Sequence, residues 1–184
     1  MTKKRVDSGT DILFDHGVDT HSRTIILNGE VNDDLLYIVD TGLTHLERLS
    51  DKSITIRLST LGGSVYAGNA IIDRILNSIC EVNIHAYGEI CSMGIFILAA
   101  GHHRTSGILT ILMHHEDSYD SDGRHSHNKN YVKAMEALDI RMCKWLASRT
   151  KKDYNFWKKT GVELDHWFSA EQALEYGLID EVIE

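Results

Sequence analysis

Between residues 24 and 114 the chain alternates short apolar runs with longer stretches of helical spacing, and that alternation restricts it to few folds. Thr24-Ile25-Ile26-Leu27, followed by the turn pair Asn28-Gly29, reads as a short buried strand. From Asn32, a good cap, the residues Leu35, Leu36, Ile38, Val39, Leu43, Leu46 and Leu49 recur with a helical period. Ser53-Ile54-Thr55-Ile56-Arg57-Leu58-Ser59 alternates and is rich in β-branched residues, so it is a strand. A helical pattern through Val65, Ile71, Ile72, Ile75, Leu76 and Ile79 leads to another strand at Val82, Ile84 and Ala86. Ile108 to Met113 reads as a further apolar strand ending at His114-His115-Glu116. This order, β-α-β-α-β-α-β, predicts an α/β fold with a mostly parallel sheet and right-handed crossovers. The 184 residues include no proline, so glycine must serve as turn former and helix stop.

The remainder is more polar. Residues 1–20, with Ile12-Leu13-Phe14 their only apolar cluster, are expected to form an N-terminal arm, leaving 21–184 as one domain. Glu116 to Asn130 reads as an exposed loop, Tyr131 to about Thr150 as a long helix and Lys152 to Thr160 as a second. Ser169-Ala170-Glu171-Gln172 has the pattern of a capping box opening a short helix that stops at Tyr176-Gly177.

The net charge of −8 argues against non-specific binding of nucleic acid. Three cysteines without CxxC spacing disfavour both a disulfide framework and a zinc site, and fit a reducing, cytoplasmic compartment. No apolar run of membrane-spanning length and no signal-peptide core is seen, so no membrane partner is expected.

The chemistry concentrates in Gly88-Glu89-Ile90-Cys91-Ser92-Met93-Gly94, which leaves a strand through glycine and presents Ser92 where an apolar segment begins. A serine at such a turn has helix N–H groups beside whatever its oxygen attacks, and it is also a favoured helix cap. A second glycine-bearing loop, Leu61-Gly62-Gly63-Ser64, also follows a strand. In an open parallel sheet, loops after strand C-termini gather at one edge, and paired glycines let backbone N–H groups approach a ligand. His114 ends a strand that could reach the same edge, although the chain has eleven histidines. Its neighbour His115 points to the opposite face of a strand, which makes the pair poor metal co-ligands. Asp165, flanked by Leu164, Trp167 and Phe168, is expected to be buried and to need a partner, for which an imidazole or a helix cap would serve.

Four of these pieces, in order, resemble the caseinolytic (Clp) protease proteolytic-subunit family over about residues 22–182. Leu61 to Gly68 is similar to its glycine-rich oxyanion segment, Ser92-Met93-Gly94 to its nucleophile motif, Leu112-Met113-His114 to its histidine strand. The segment from Asp165 through Asp180 is similar to the part that carries its aspartate. The resemblance implies the ClpP/crotonase fold, with repeated β-α-β units and a protruding helical handle at about 116–160. It implies a Ser-His-Asp endopeptidase with Ser92 as nucleophile, His114 as base, Asp165 orienting it, and N–H groups of Gly63 and Met93 as oxyanion hole. It further implies homo-oligomeric heptameric rings, usually stacked in pairs, whose chamber takes unfolded protein or peptide substrates from an AAA+ ATPase unfoldase, with no cofactor and no metal. The chain departs from the family in carrying Leu61 for a proline, His115-Glu116 for Gln-Pro, and Leu164 for an arginine that pairs across rings in many members. Such divergence suits a phage-encoded relative that processes capsid proteins. A crotonase-like acyl-CoA enzyme and a non-catalytic ring subunit are the alternatives on the same fold.

Overall fold

The computed structural model describes the backbone of residues 17–116 and 125–184, and the side chains of these except 125–128 and 163. Strands β1 (Val18–Asp19), β2 (Thr24–Asn28), β3 (Ile54–Thr60), β4 (Val82–Cys91), β5 (Arg104–Gly107), β6 (Ile111–His114), β7 (His166–Ser169) and β8 (Glu181–Ile183) form one mostly parallel sheet. Helices α1 (Asp33–Leu49), α2 (Val65–Leu76) and α3 (Met93–Ala99) are the crossovers between β2, β3, β4 and β5. They are followed by α4 (His125–Arg149), α5 (Tyr154–Glu163) and α6 (Ala170–Tyr176). The alternating β/α order of the sequence is thus the order of the fold. Local chemistry accounts for the ends: Asn32 caps α1 by accepting from the Leu35 amide, and Ser169 and Gln172 close a reciprocal capping box on α6. Gly177, at φ +70, ends α6 in the left-handed conformation that glycine reaches without a steric penalty.

The sheet forks at β4. Its first half, Ile84 to Ala86, pairs with Arg104 to Ser106 of β5, while Glu89 to Cys91 pairs with Ile111 to Met113 of β6. Gly88, at φ +68, lies between the two halves, and the register against β3 shifts between Leu58 and Thr60 at the same level. One arm therefore runs β1-β2-β3-β4-β5-β8, and the other continues from β4 to β6 and then antiparallel to β7.

The structure corrects the sequence reading in several places: β5, β7 and β8 have no counterpart in the residue pattern, β4 runs on through Gly88 to Cys91, and Ile79 lies exposed beyond the end of α2. Ile108 and Leu109 are not in a strand: they occupy an exposed turn between β5 and β6, and hydrophobicity alone does not separate an apolar turn from a strand. The long helix begins at His125, not Tyr131, so six polar residues assigned to a loop are its first turns. Leu138, Met142 and Leu146 of α4 enter the core, and Trp145 packs against it. Residues 1–16, most of the expected arm, and 117–124, within the expected handle, lie outside the described residues.

Three arginines stitch the framework. Arg23, itself at φ +54, donates to the carbonyls of Leu46 at 3.0 Å, Lys52 at 2.8 Å, and Ser50 and Ser53 at 3.2 Å, closing α1 onto the entrance to β3. Arg149, the last residue of α4, donates to the carbonyls of Ala99 at 2.9 Å and Gly101 at 2.8 Å, at the end of α3. Its own carbonyl accepts from Arg104 at 2.8 Å, and Arg104 also forms an ion pair with Asp180 at 2.7 Å. Replacing Arg23 by alanine leaves several main-chain carbonyls without their charged donor, and should cost about 2–3 kcal/mol of stability. A urea titration of R23A against the parent would read this as a lowered midpoint.

Candidate active site

Ser92 stands at the corner between β4 and α3 with φ +53 and ψ −121, a conformation that L-residues other than glycine rarely hold. Its surroundings hold it there: the Ser92 amide donates to the Met113 carbonyl at 2.8 Å, and its carbonyl accepts from the Ile95 amide at 3.0 Å. The first of these bonds extends the β4–β6 pairing by one residue, so the fork brings Ser92 beside the end of β6. Although Ser92 occupies the cap position of α3, its side chain caps nothing. Ser92 is only partly covered, whereas every residue of α3 behind it is buried.

The glycine pair of the β3–α2 loop lies directly against this corner, as the sequence reading requires of two loops at one sheet edge. A Cβ on Gly62 would fall 2.6 Å from Ser92 Cβ, 2.9 Å from the Cys91 carbonyl oxygen and 3.1 Å from the Met93 nitrogen. Only glycine at φ +94 permits that approach. Gly63, at φ +144, is pressed against Val31, whose amide donates to the Gly62 carbonyl and whose carbonyl accepts from Ser64. Those two bonds bypass the Gly63 N–H, which has no acceptor among the described residues. Met93, as the first residue of α3, has an N–H with no acceptor inside its helix. Gly68 of α2 leaves room for the Met93 side chain, since a Cβ there would fall 2.3 Å from Met93 Cγ. A groove of about 410 Å3 runs beside the pair, with Glu30, Leu61 and Glu89 among its walls.

His114 closes β6 and is 2 % exposed. Its ring lies between Phe96 at 5.9 Å and Trp157 at 5.4 Å, in edge-to-face contacts. Nε2 lies 3.0 Å from the Trp157 carbonyl oxygen of α5, while Nδ1 is buried with no hydrogen-bond partner among the described residues. A carbonyl only accepts, so Nε2 carries the proton and the ring is the neutral Nε2–H tautomer. Burial is the main cause holding the His114 pKa down to about 4; His115 and His166 add to it, and the Trp157 bond and Asp139 oppose it.

Asp165 is not where the sequence reading put it. It is exposed at the joint between α5 and β7, with Leu164 82 % and Trp167 51 % exposed on either side. Leu164 lies in the surface joint itself, whereas Trp167 is on the outer face of β7 and the alternate residue Phe168 is buried on its inner face. The next residue, His166, is the one paired across the strands with His114. The structure thus brings Ser92, the two candidate amides and the end of β6 together, but it forms no hydrogen bond from His114 to Ser92 or Asp165 among the described residues. Asp165 is still close enough to act on Cys91: burial pushes that thiol up to about 11, and the carboxylates of Glu89 and Asp165 push in the same direction. Cys91 is therefore a protonated thiol near neutrality and no competitor to the adjacent serine.

Sequence reasoning missed Trp157 and Phe96, the walls of the His114 pocket. Phe156-Trp157 inside an otherwise polar helix was the available signal. Among the described residues no group of His, Cys, Asp or Glu could hold a metal ion, and no helix is long and apolar enough to cross a membrane.

The depressed His114 pKa gives stability a pH dependence of definite sign. Between about 6.5 and about 4 the unfolded chain binds a proton at this residue that the folded chain does not, so folding is weakened as pH falls through that window. The expected loss is about 3 kcal/mol between neutrality and the lower end. Urea midpoints of the parent should fall across this range more steeply than those of H114Q.

A family model described as Clp protease matches residues 16–184, which takes in every described residue and all of the site built above. That family is one of peptidases, and the forked parallel sheet with its serine corner fits it. The chain belongs to the Clp protease family.

Proposed function

We propose that the chain is a serine endopeptidase whose nucleophile is Ser92. In this reading Ser92 Oγ attacks the scissile carbonyl carbon, His114 takes the hydroxyl proton and returns it to the leaving amine, and Asp165 orients the imidazole. The N–H groups of Gly63 and Met93 would receive the oxyanion, which carries full charge only after attack; a single such donor contributes roughly 3–4 kcal/mol in related chemistry. The observation that carries the reading is Ser92 itself. A non-glycine residue held at φ +53 and ψ −121, at a helix start it does not cap and pressed against the Gly62 backbone, supports a role for its hydroxyl beyond the fold.

Family membership supports a ring-shaped assembly with the serines facing an interior chamber, peptide or unfolded-protein substrates, and supply by an AAA+ unfoldase. Heptameric rings stacked in pairs are the arrangement the family resemblance favours. The exposed Leu164, in the position of the ring-contact arginine, would make any contact between rings apolar instead of ionic. A non-catalytic ring subunit is the second reading, favoured by one observation: the His114 imidazole engages Trp157 and not Ser92.

Labelling with a fluorophosphonate separates the two. The active reading expects a stoichiometric adduct on Ser92, located by peptide mass spectrometry, and loss of short-peptide hydrolysis by at least about 10^4-fold in S92A. An unlabelled Ser92, with S92A as active as the parent, would overturn it.

A further inference from the structure

The contact that sets His114 apart from Ser92 is specific enough to assign a role. We infer that the main-chain carbonyl of Trp157 parks the His114 imidazole in the Nε2–H tautomer, making Trp157 and the helix α5 that carries it the positioning elements of the general base. The inference rests on the reading of His114 as the base for Ser92.

The chemistry of the two ring nitrogens makes the parked state distinct. A base serving Ser92 with a carboxylate behind it must present a bare Nε2 to the hydroxyl and hold its proton on Nδ1. The ring against Trp157 has the opposite arrangement, with the proton on Nε2, 3.0 Å from the carbonyl oxygen, and Nδ1 bare and without a partner among the described residues. Passing from one state to the other therefore needs more than a side-chain rotation. The Nε2 proton must leave to water and another must arrive at Nδ1, with the proton count of the ring unchanged. Within its pocket of Phe96 and Trp157 the ring is 2 % exposed, so this exchange requires it to leave α5 first.

The structure fixes α5 at several points around the contact. The Trp157 indole N–H donates to Thr150 Oγ1 at 2.9 Å, and the Gly161 carbonyl accepts from the Glu116 amide at 2.9 Å. Gly161 faces the ring, and a Cβ there would fall 3.1 Å from His114 Nε2. Lys158 of α5 pairs with Asp139 of α4 at 2.5 Å. The charged and titratable groups acting on the ring are His115 beside it, His166 from β7 and this Asp139. The parked position is thus a feature of α5 docking, and a shift of α5 is the event that frees the base.

Magic-angle-spinning NMR of the assembled protein, with 13C,15N-labelled histidine and His114 identified by its loss in H114Q, reads the tautomer directly. The inference expects the neutral Nε2–H form at pH 7 in the free protein, persisting well below the pH at which exposed histidines protonate. On formation of a Ser92 phosphonate adduct the same resonance should move to the Nδ1–H or imidazolium form. A free protein showing Nδ1–H or imidazolium at pH 7, or an adduct in which the Nε2–H signal is unchanged, overturns the inference. Failure of Ser92 to react at all would instead remove the peptidase reading, while the free-protein spectrum still reports on Trp157. As a second arm, G161A crowds the parked ring and should raise kcat for a short peptide at least about threefold with KM unchanged, as the competent fraction grows. An unchanged or reduced kcat in G161A, with the Nε2–H signal diminished, would count against it.

Discussion

Strand β4 gives its first half to β5 and its second half to β6, and Gly88 is the residue at which the exchange is made. Everything at the candidate site follows from that bend. Without it, β4 would continue in the plane of the main sheet and Ser92 would emerge far from His114. With it, the last ladder positions of β4 run alongside Ile111 to Met113, and the Ser92 amide takes the next carbonyl in line. The glycine pair after β3 then has its position determined from both sides: Val31 grips its outer edge, and the Cys91–Met93 backbone forms its inner one. The strained serine is affordable because each of its backbone groups is already committed.

The second constraint is electrostatic. His114 is placed in an almost water-free pocket walled by two aromatic rings, where an imidazolium is strongly disfavoured and a single carbonyl decides which nitrogen bears the proton. Burial lowers basicity, and a base that remains in such a pocket is a weak one. The chemistry proposed for Ser92 therefore needs the imidazole in a more polar setting than the one α5 provides.

The fold was largely legible in the sequence because local signals and tertiary demands agree there. The helix from Asn32, the strand read over 53–59 and found at Ile54–Thr60, the Gly177 stop and the capping box at Ser169 stand within a residue of where the pattern places them. Where packing had to decide, the pattern misled. Ile108 and Leu109 are apolar yet sit in a turn, and of the apolar residues around Asp165 only Phe168 turns inward, while Leu164 and Trp167 face outward. At the site, the proximity of the two glycine loops could be read from strand topology alone, since parallel strands deliver their C-terminal loops to one edge. The orientation of His114 could not. It depends on a main-chain carbonyl more than forty residues away, and carbonyls have no signature in a sequence.

The grip of Arg149 on Ala99 and Gly101 has a mechanical meaning. Those carbonyls finish a helix only seven residues long, and the other end of that helix is the serine corner. A rod of about 10 Å, buried along its whole length, bends very little. The end of the long helix and the serine corner are therefore tied to opposite ends of one short, fully buried rod.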